Sequence, residues 1–445
     1  MTAAGVSARR SGCGMANDSD TDRRPTRDEQ GVSGARGQPV EPGLPPVGGP
    51  FVSLRSRDFR LLWFSTVATG FGQWGQQIGL NWLVFLLTGS AVQLGAVSFF
   101  GGIISLILTP YAGVLADRYS RRMIILIATV LGAVQAAGLA VLVLADVVEV
   151  WHAYVFAVFA AVTQAMNQPA RQAYVNDVST PETLPNAIAL NSIAQNASRI
   201  VGPPLAGLIA GWNVGAAFVF VAVIRVIASG LTMMLSARPQ AATAGRGNPL
   251  RLIAGGFDYL FREGNLRLLL VVNALTALFV YPYVSFMPVF AEEVFRGGSS
   301  TYGILVSMIA VGSIIGLFGL AWLPNLRRRG LLMLVGFVGY TALLIVFTQA
   351  PVLIVAMISL AVAGLFFGVA SALNNTLFQV IVRNDMRGRG MAVLQLAGGL
   401  SPIGALSMGF LIEAIGIRLG VALHIAVAFA GLVLVLVFGK AIRRL

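Results

Sequence analysis

Residues 94–122 read LGAVSFFGGIISLILTPYAGVLADRYSRR. No side chain from Leu94 to Ala116 carries a charge, and the run then closes on Asp117, Arg118, Arg121 and Arg122. A helix that crosses a bilayer needs roughly 20 consecutive apolar residues, so this stretch is long enough to span and ends in cations suited to headgroups. From Leu61 onward the same pattern repeats, with short polar loops between apolar runs, and about twelve runs satisfy the length criterion. The spacing predicts spans at 61–88, 92–115, 123–145, 151–170, 187–211, 214–236, 266–291, 301–323, 331–349, 351–380, 389–414 and 418–440. A chain of 445 residues that is 56% hydrophobic and only 11% charged is composed for lipid rather than water.

The net charge of +13 would suit nucleic acid, but the arginines lie in loops between apolar runs and form no continuous basic face. They read instead as topology signals, and no nucleic-acid partner is expected. With the amino terminus inside, the inner loops hold Arg118, Arg121, Arg122, Arg171, Arg238, Arg246, Arg251, Arg262, Arg267, Arg327, Arg328, Arg329, Arg383 and Arg387. The outer loops hold only Arg296 and Arg418. Both termini are therefore expected in the cytoplasm, with the chain in the inner cell membrane.

Residues 1–50 are polar and rich in Gly, Pro and Arg, without an apolar core, so they read as a disordered cytoplasmic tail and not as a cleaved signal peptide. Met15 offers an alternative start, and the lone cysteine, Cys13, excludes a disulfide framework. Residues 51–236 and 266–445 then form two halves, joined by a linker over 237–265 whose second part reads as an amphipathic interfacial helix. The halves resemble each other: residues 94–122 align with YGILVSMIAVGSIIGLFGLAWLPNLRRR, pairing Gly95 with Gly303, Asp117 with Asn325 and Arg121 with Arg329. RQAYV at 171–175 aligns with FQVIV at 378–382 at nearly the same offset. The expected fold is an all-α membrane protein of about twelve transmembrane helices in two six-helix bundles, related by a pseudo-two-fold axis along the membrane normal.

With the layout drawn, GVLADRYSRR at 113–122 resembles the loop motif between helices two and three of the major facilitator superfamily. RDFRLLW at 57–63, LLTGS at 86–90, NQPARQA at 167–173, LPNAIALNS at 184–192 and ASRIVGPPLAGLI at 197–209 are similar to the branch holding enterobactin exporters and macrolide efflux proteins. The resemblance implies a cytoplasmic gate of Gly113, Asp117, Arg118, Arg121 and Arg122, with Asp117 facing Arg387 and Arg389 at the start of helix eleven. Anchoring of topology is the alternative role for DRYSRR. GPPLAG at 202–207 partly resembles the helix-five antiporter motif, although Ala206 replaces a glycine. Gly202, Pro203 and Gly207 read as a bend in a rocking bundle, or as a purely structural kink.

Side chains three or four apart share a helix face. By that rule Gln73, Gln77 and Asn81 form one polar stripe, Gln164, Gln168 and Arg171 a second, and Asn191, Gln195 and Arg199 a third. Asn273 with Tyr281 and Tyr283, and Asn374 and Asn375 with Gln379, supply two more. Together they outline a cavity for an amphipathic organic molecule; packing between helices is the alternative for any one amide. Arg199 lies too deep to snorkel and is assigned to the cavity, whereas Arg225, on a helix that the resemblance makes peripheral, is assigned a structural or lipid-facing place.

Lys440 is the only lysine, which removes any G-x-x-x-x-G-K-[ST] phosphate loop and any Schiff-base chemistry within the spans. His152 and His424 are too scattered for a metal site, and no catalytic cluster faces an interface. No cofactor is expected. The function that fits is secondary active transport of a small organic molecule, drug- or siderophore-like, by a monomer. Export driven by a proton gradient is the expectation, with import or a passive channel as alternatives. No acid lies deep inside a span, where proton-coupled pumps often keep one.

Overall fold

The computed structural model describes residues 49–236, 249–323, 327–383 and 386–443, with the side chains of Pro110, Gly113, Val114, Ala116, Asp117, 249–254, Arg387, Gly388, Ala392 and Ala441 left aside. The tail with Cys13 and Met15, the first part of the linker, and Asn325 lie outside the described residues. Among the described residues every regular element is helical.

The first half holds α1 (Arg57–Thr88), α2 (Ala91–Arg118), α3 (Arg121–Leu144), α4 (Val150–Val178), α5 (Leu184–Trp212) and α6 (Val214–Met233). Local chemistry sets their ends. Ser56, Ser90 and Asn213 cap α1, α2 and α6 by accepting from the amides of Phe59, Gln93 and Ala216. Gly89, at φ 59°, closes α1 in the left-handed conformation that favours glycine.

A short amphipathic helix, α7 (Pro249–Arg262), precedes the second half. Gly256 of α7 lies against the backbone of Arg389, and Tyr259 Oη accepts from the Arg383 amide at 3.2 Å, so α7 rests on the start of a later span. There follow α8 (Gly264–Phe279), α9 (Gly298–Ala321), α10 (Arg329–Thr348), α11 (Leu353–Ile381), α12 (Arg387–Gly398), α13 (Ser401–Ile415) and α14 (Ile417–Phe438). Two spans are discontinuous. After α8 the chain passes through a 3-10 stretch, Tyr281–Phe286, and a π stretch, Phe290–Val294, because Pro282 and Pro288 each remove an amide donor. Between α12 and α13 the helix breaks at Gly399 and Leu400, just before Pro402.

Nine described segments are long and apolar enough to cross a membrane. The long helices that miss this standard are α1, α4 and α5, of 32, 29 and 29 residues. Their deficit is the amides and arginines that form the three polar stripes, so low hydropathy here marks helices whose faces turn inward and away from lipid. One expectation is corrected: Arg171 is not in a loop, because α4 continues to Val178 and buries it at 6% exposure.

The halves meet along two crossings in which glycine allows backbones to touch. On α2, a Cβ added to Gly95 would lie 2.5 Å from the Ala405 carbonyl of α13, and Gly102 abuts Pro402. At the other crossing Gly303 of α9 abuts the Pro203 carbonyl of α5, Gly207 of α5 abuts the Ser299 backbone, and Ser299 Oγ donates to the Gly207 carbonyl at 2.8 Å. Gly95 and Gly303, which align in the sequence repeat, thus occupy corresponding places. GPPLAG lies in this tight interface, and α5 runs through Pro203 and Pro204 as a continuous helix.

Candidate functional site

Both crossings lie toward the end of the molecule that carries residues 88–91, 212–214 and 298, and that end is closed. Glu413 of α13 ties it further, accepting from Ser90 Oγ at 2.9 Å and from the Val92 amide at 3.2 Å, where a carboxylate meets the positive end of α2. Just inside, Asn81 donates to Tyr302 Oη at 3.2 Å and Ser98 donates to Ser285 at 3.0 Å, both across the halves.

Beneath this seal lies a cavity of about 1080 Å³, which extends along α2 to Thr109, along α4 to Gln172 and along α12 to Met391, toward the arginine-rich end. Gln73, Gln76, Gln77 and Asn81 of α1 line it with Gln164 and Gln168 of α4, Gln395 of α12 and Ser401 and Pro402 beside the α12–α13 break. A chamber of about 280 Å³ adjoins it between α1, α4 and α5, sharing Gln73, Gln164, Gln168 and Gln172 as its wall. Asn191, Gln195, Arg171 and Arg199 line the chamber.

Amides dominate the polar part of a lining that is otherwise mostly apolar. They donate and accept, hold water, and can match alcohols, carbonyls and carboxylates on a ligand without fixing its charge. Charge is supplied by arginine. Arg171 donates to the hydroxyls of Ser65, Thr66 and Thr69 at 3.3, 3.1 and 3.0 Å and to Asn167 at 3.3 Å. Arg199 stacks over Trp74 with its guanidinium carbon 5.9 Å from the ring centroid. Arg225 reaches Gln76 and lines the main cavity. Its assignment to a lipid-facing place is therefore corrected. None of the described residues lining either space is acidic.

Three of the five stripes read from the sequence, those of α1, α4 and α5, converge on these spaces. Asn273, Asn374, Asn375 and Gln379 are not among the lining residues: Asn273 donates to Leu269 and Asn375 to Ser371 within their own helices, and Asn374 is buried. Sequence reasoning missed Gln76, one helical turn from Gln73, and Gln172, one turn from Gln168. Both followed from the same spacing rule. Gln395 and Ser401 gave no such signal, because their exposure depends on the helix break.

At the arginine-rich end Asp117 and Gly113 lie in α2, but their side chains are outside those described. Arg118 is exposed at the end of α2. Arg121 pairs with Asp177 of α4 at 2.5 Å and Arg122 donates to the Met233 carbonyl of α6 at 2.6 Å, so both are held inside the first half. Among the described residues no group of His, Cys, Asp and Glu could hold a metal ion. His424 bridges Ser407 and the Phe279 carbonyl, each at 3.0 Å, as a structural link between spans.

The fold defines a multi-pass helical membrane protein with an amide-bearing cavity between its halves. Residues 48–444 match the family model described as transmembrane secretion effector, and the chain belongs to that family of the major facilitator superfamily. It is 29% identical to the staphyloferrin A transporter of Staphylococcus aureus, over 78% of this chain and 87% of that protein. Against the enterobactin exporter EntS of Salmonella typhimurium the identity is 28%, covering 68% and 73%. Macrolide efflux protein A of Streptococcus pyogenes is 24% identical, covering 76% and 85%. Among solved structures, a bacterial homologue of the lysosomal transporter Spinster, inward-facing and unoccupied, has a TM-score of 0.65 at 17% identity, covering 87% and 96%. The resemblance read from the sequence motifs is thereby borne out.

Proposed function

We propose that this chain is a secondary active exporter of small organic molecules, drug- or siderophore-like, working by alternating access in the inner membrane as a monomer. The observation that carries the reading is the cavity of about 1080 Å³ at the interface of the halves, lined by α1, α2 and α4 on one side and by α12 and α13 on the other, with the polar face of α5 on the adjoining chamber. Twelve spans arise when α1, α4 and α5 join the nine apolar segments. Two six-helix bundles over 51–236 and 266–445, linked by 237–265, account for the paired crossings at Gly95 and Gly303. With the arginine-rich loops in the cytoplasm, the conformation is inward-open.

Export and the substrate class rest on the names of the relatives, which are siderophore and macrolide transporters and exporters. Cycling would close the arginine-rich end, bringing Asp117, Arg118, Arg121 and Arg122 toward the start of α12, and would open the crossings at Gly95 and Gly303. Gly202, Pro203 and Gly207 then act as a sliding contact against α9. A proton gradient is the proposed driving force. The test is reconstitution into vesicles with imposed pH or sodium gradients and a panel of labelled siderophores and macrolides. Accumulation that follows a proton gradient is expected; accumulation that needs ATP and ignores every ion gradient overturns the mechanism.

A further inference from the structure

Arg225 stands in the middle of α6, a helix whose apolar sequence would place it against lipid. Its side chain runs the other way, through a slot between α1 and α3. On α1 the slot is Gly72, where a Cβ would lie 3.0 Å from Arg225 Cγ and 3.3 Å from Nε. On α3 it is Gly132, where a Cβ would lie 3.0 Å from Cζ and collide with Nη1. A side chain at either position would close the passage. Beyond the slot Nη2 donates to Gln76 Oε1 at 2.5 Å, and the residue joins the lining of the main cavity. Nε is buried without a hydrogen-bond partner.

This placement is costly. An arginine at the centre of a membrane helix is expensive to insert, and none of the described residues lining the cavity carries a carboxylate to offset it. Arg171 donates to three hydroxyls and one amide, whereas among the described residues Arg225 has one hydrogen-bond acceptor, Gln76, on a side chain that also faces the cavity. A guanidinium carried through two helices to a neutral amide wall gives that wall a preference for negative charge.

We propose that Arg225 determines charge specificity in the main cavity, contacting an anionic group of the substrate (a carboxylate, sulfonate or phenolate) beside Gln76, and that Gly72 and Gly132 exist at their positions to let it through. The proposal rests on the reading of the cavity as the substrate site. Its test uses the purified full chain and two probes of one xanthene skeleton, anionic fluorescein and a cationic rhodamine, with binding followed by fluorescence anisotropy. The parent binds fluorescein more tightly than the rhodamine. Arg225→Gln weakens fluorescein roughly 10-fold or more and leaves the rhodamine unchanged or improved, since a charge-assisted contact is lost. Arg225→Lys keeps the charge and falls between. Gly132→Ala, with the arginine still present but pushed from its slot, behaves like Arg225→Gln; this variant and the lysine variant carry the test if the glutamine variant fails to fold.

A parent protein that binds fluorescein no better than the rhodamine, including not at all, overturns the proposal. So does an Arg225→Gln variant that loses both dyes equally while the parent discriminates, since that marks a structural role. Neither result touches the transport reading, which the vesicle assay decides separately, because a transporter of neutral or cationic molecules would also give them.

Discussion

Three arginines inside the first half show how one residue type takes different parts through its partners. Arg171 is the most fully bonded: three hydroxyls and an amide hold it, and at 6% exposure it offers little surface to the chamber it borders. Arg171→Met should therefore lower stability by about 1–3 kcal/mol, read as a fall in melting temperature of the detergent-purified protein, because polar groups lose a buried partner. An unchanged melting temperature would show that the network contributes nothing. Arg199 is half-buried, rests on Trp74, and makes no ion pair or hydrogen bond among the described residues. Arg199→Gln should leave stability and expression intact while impairing transport of anionic substrates more than neutral ones. Equal transport of both by the variant and the parent removes Arg199 from the site. The sequence made the depth of Arg199 legible from its distance along α5. It put Arg171 on the polar face of α4 while also counting it among the loop cations, because that depended on where α4 ends, and it misplaced Arg225, because that depended on which helices flank α6.

At the scale of elements, hydropathy placed most helix ends within a few residues, since the cost of polar backbone in lipid leaves little freedom there. What it could not show was the two breaks, at Pro282 and Pro288 after α8 and at Gly399 and Leu400 between α12 and α13, or that GPPLAG presses against α9. These depend on tertiary contact. The crossings make a specific expectation for movement. Gly303→Val places branched carbons against the Pro203 carbonyl, which disfavours the closed state of that end and shifts the protein toward the opposite conformation. Asn81→Cys, made in a Cys13→Ser background, reports the shift, since Asn81 sits buried below the seal at 6% exposure. Its labelling by an impermeant thiol reagent added outside cells should speed up in the Gly303→Val background. Labelling that stays as slow as before assigns Gly303 to packing alone. At the opposite end Asp117→Asn should reduce transport without loss of folded protein, by weakening the gate by about 0.3–1 kcal/mol. Transport at the parental rate would remove Asp117 from the gate.

For the molecule as a whole, charge distribution and cavity geometry are independent observations that bear on one question, which side the open end faces. The cavity runs toward Thr109, Gln172 and Met391, toward the end that holds Arg118, Arg121 and Arg122 at the ends of α2 and α3 and Arg383 after α11. The sealed end carries Asp146, Glu149, Glu292, Glu293 and Glu413, with Arg296 and Arg418 as its cations. Positive residues in short loops remain on the cytoplasmic side during insertion, and acidic residues contribute little, so the open end is expected in the cytoplasm. An exporter resting in that state can load its substrate from inside the cell before any gradient is used. Two sets of single cysteines, again in the Cys13→Ser background, separate the alternatives. One set lies near Gly247 in the linker and near Gly298 at the sealed end, and reads topology alone. The other is a cysteine at Gln172, at the mouth of the cavity, and reads conformation. In intact cells an impermeant reagent should label the cysteine near Gly298 and spare the one near Gly247, while the Gln172 cysteine reacts when the reagent is added to inside-out vesicles. Labelling near Gly247 but not near Gly298 from outside inverts the topology, and with it the direction in which the resting cavity faces. Correct labelling of that pair with a Gln172 cysteine that reacts only from outside keeps the topology and overturns the inward-open state.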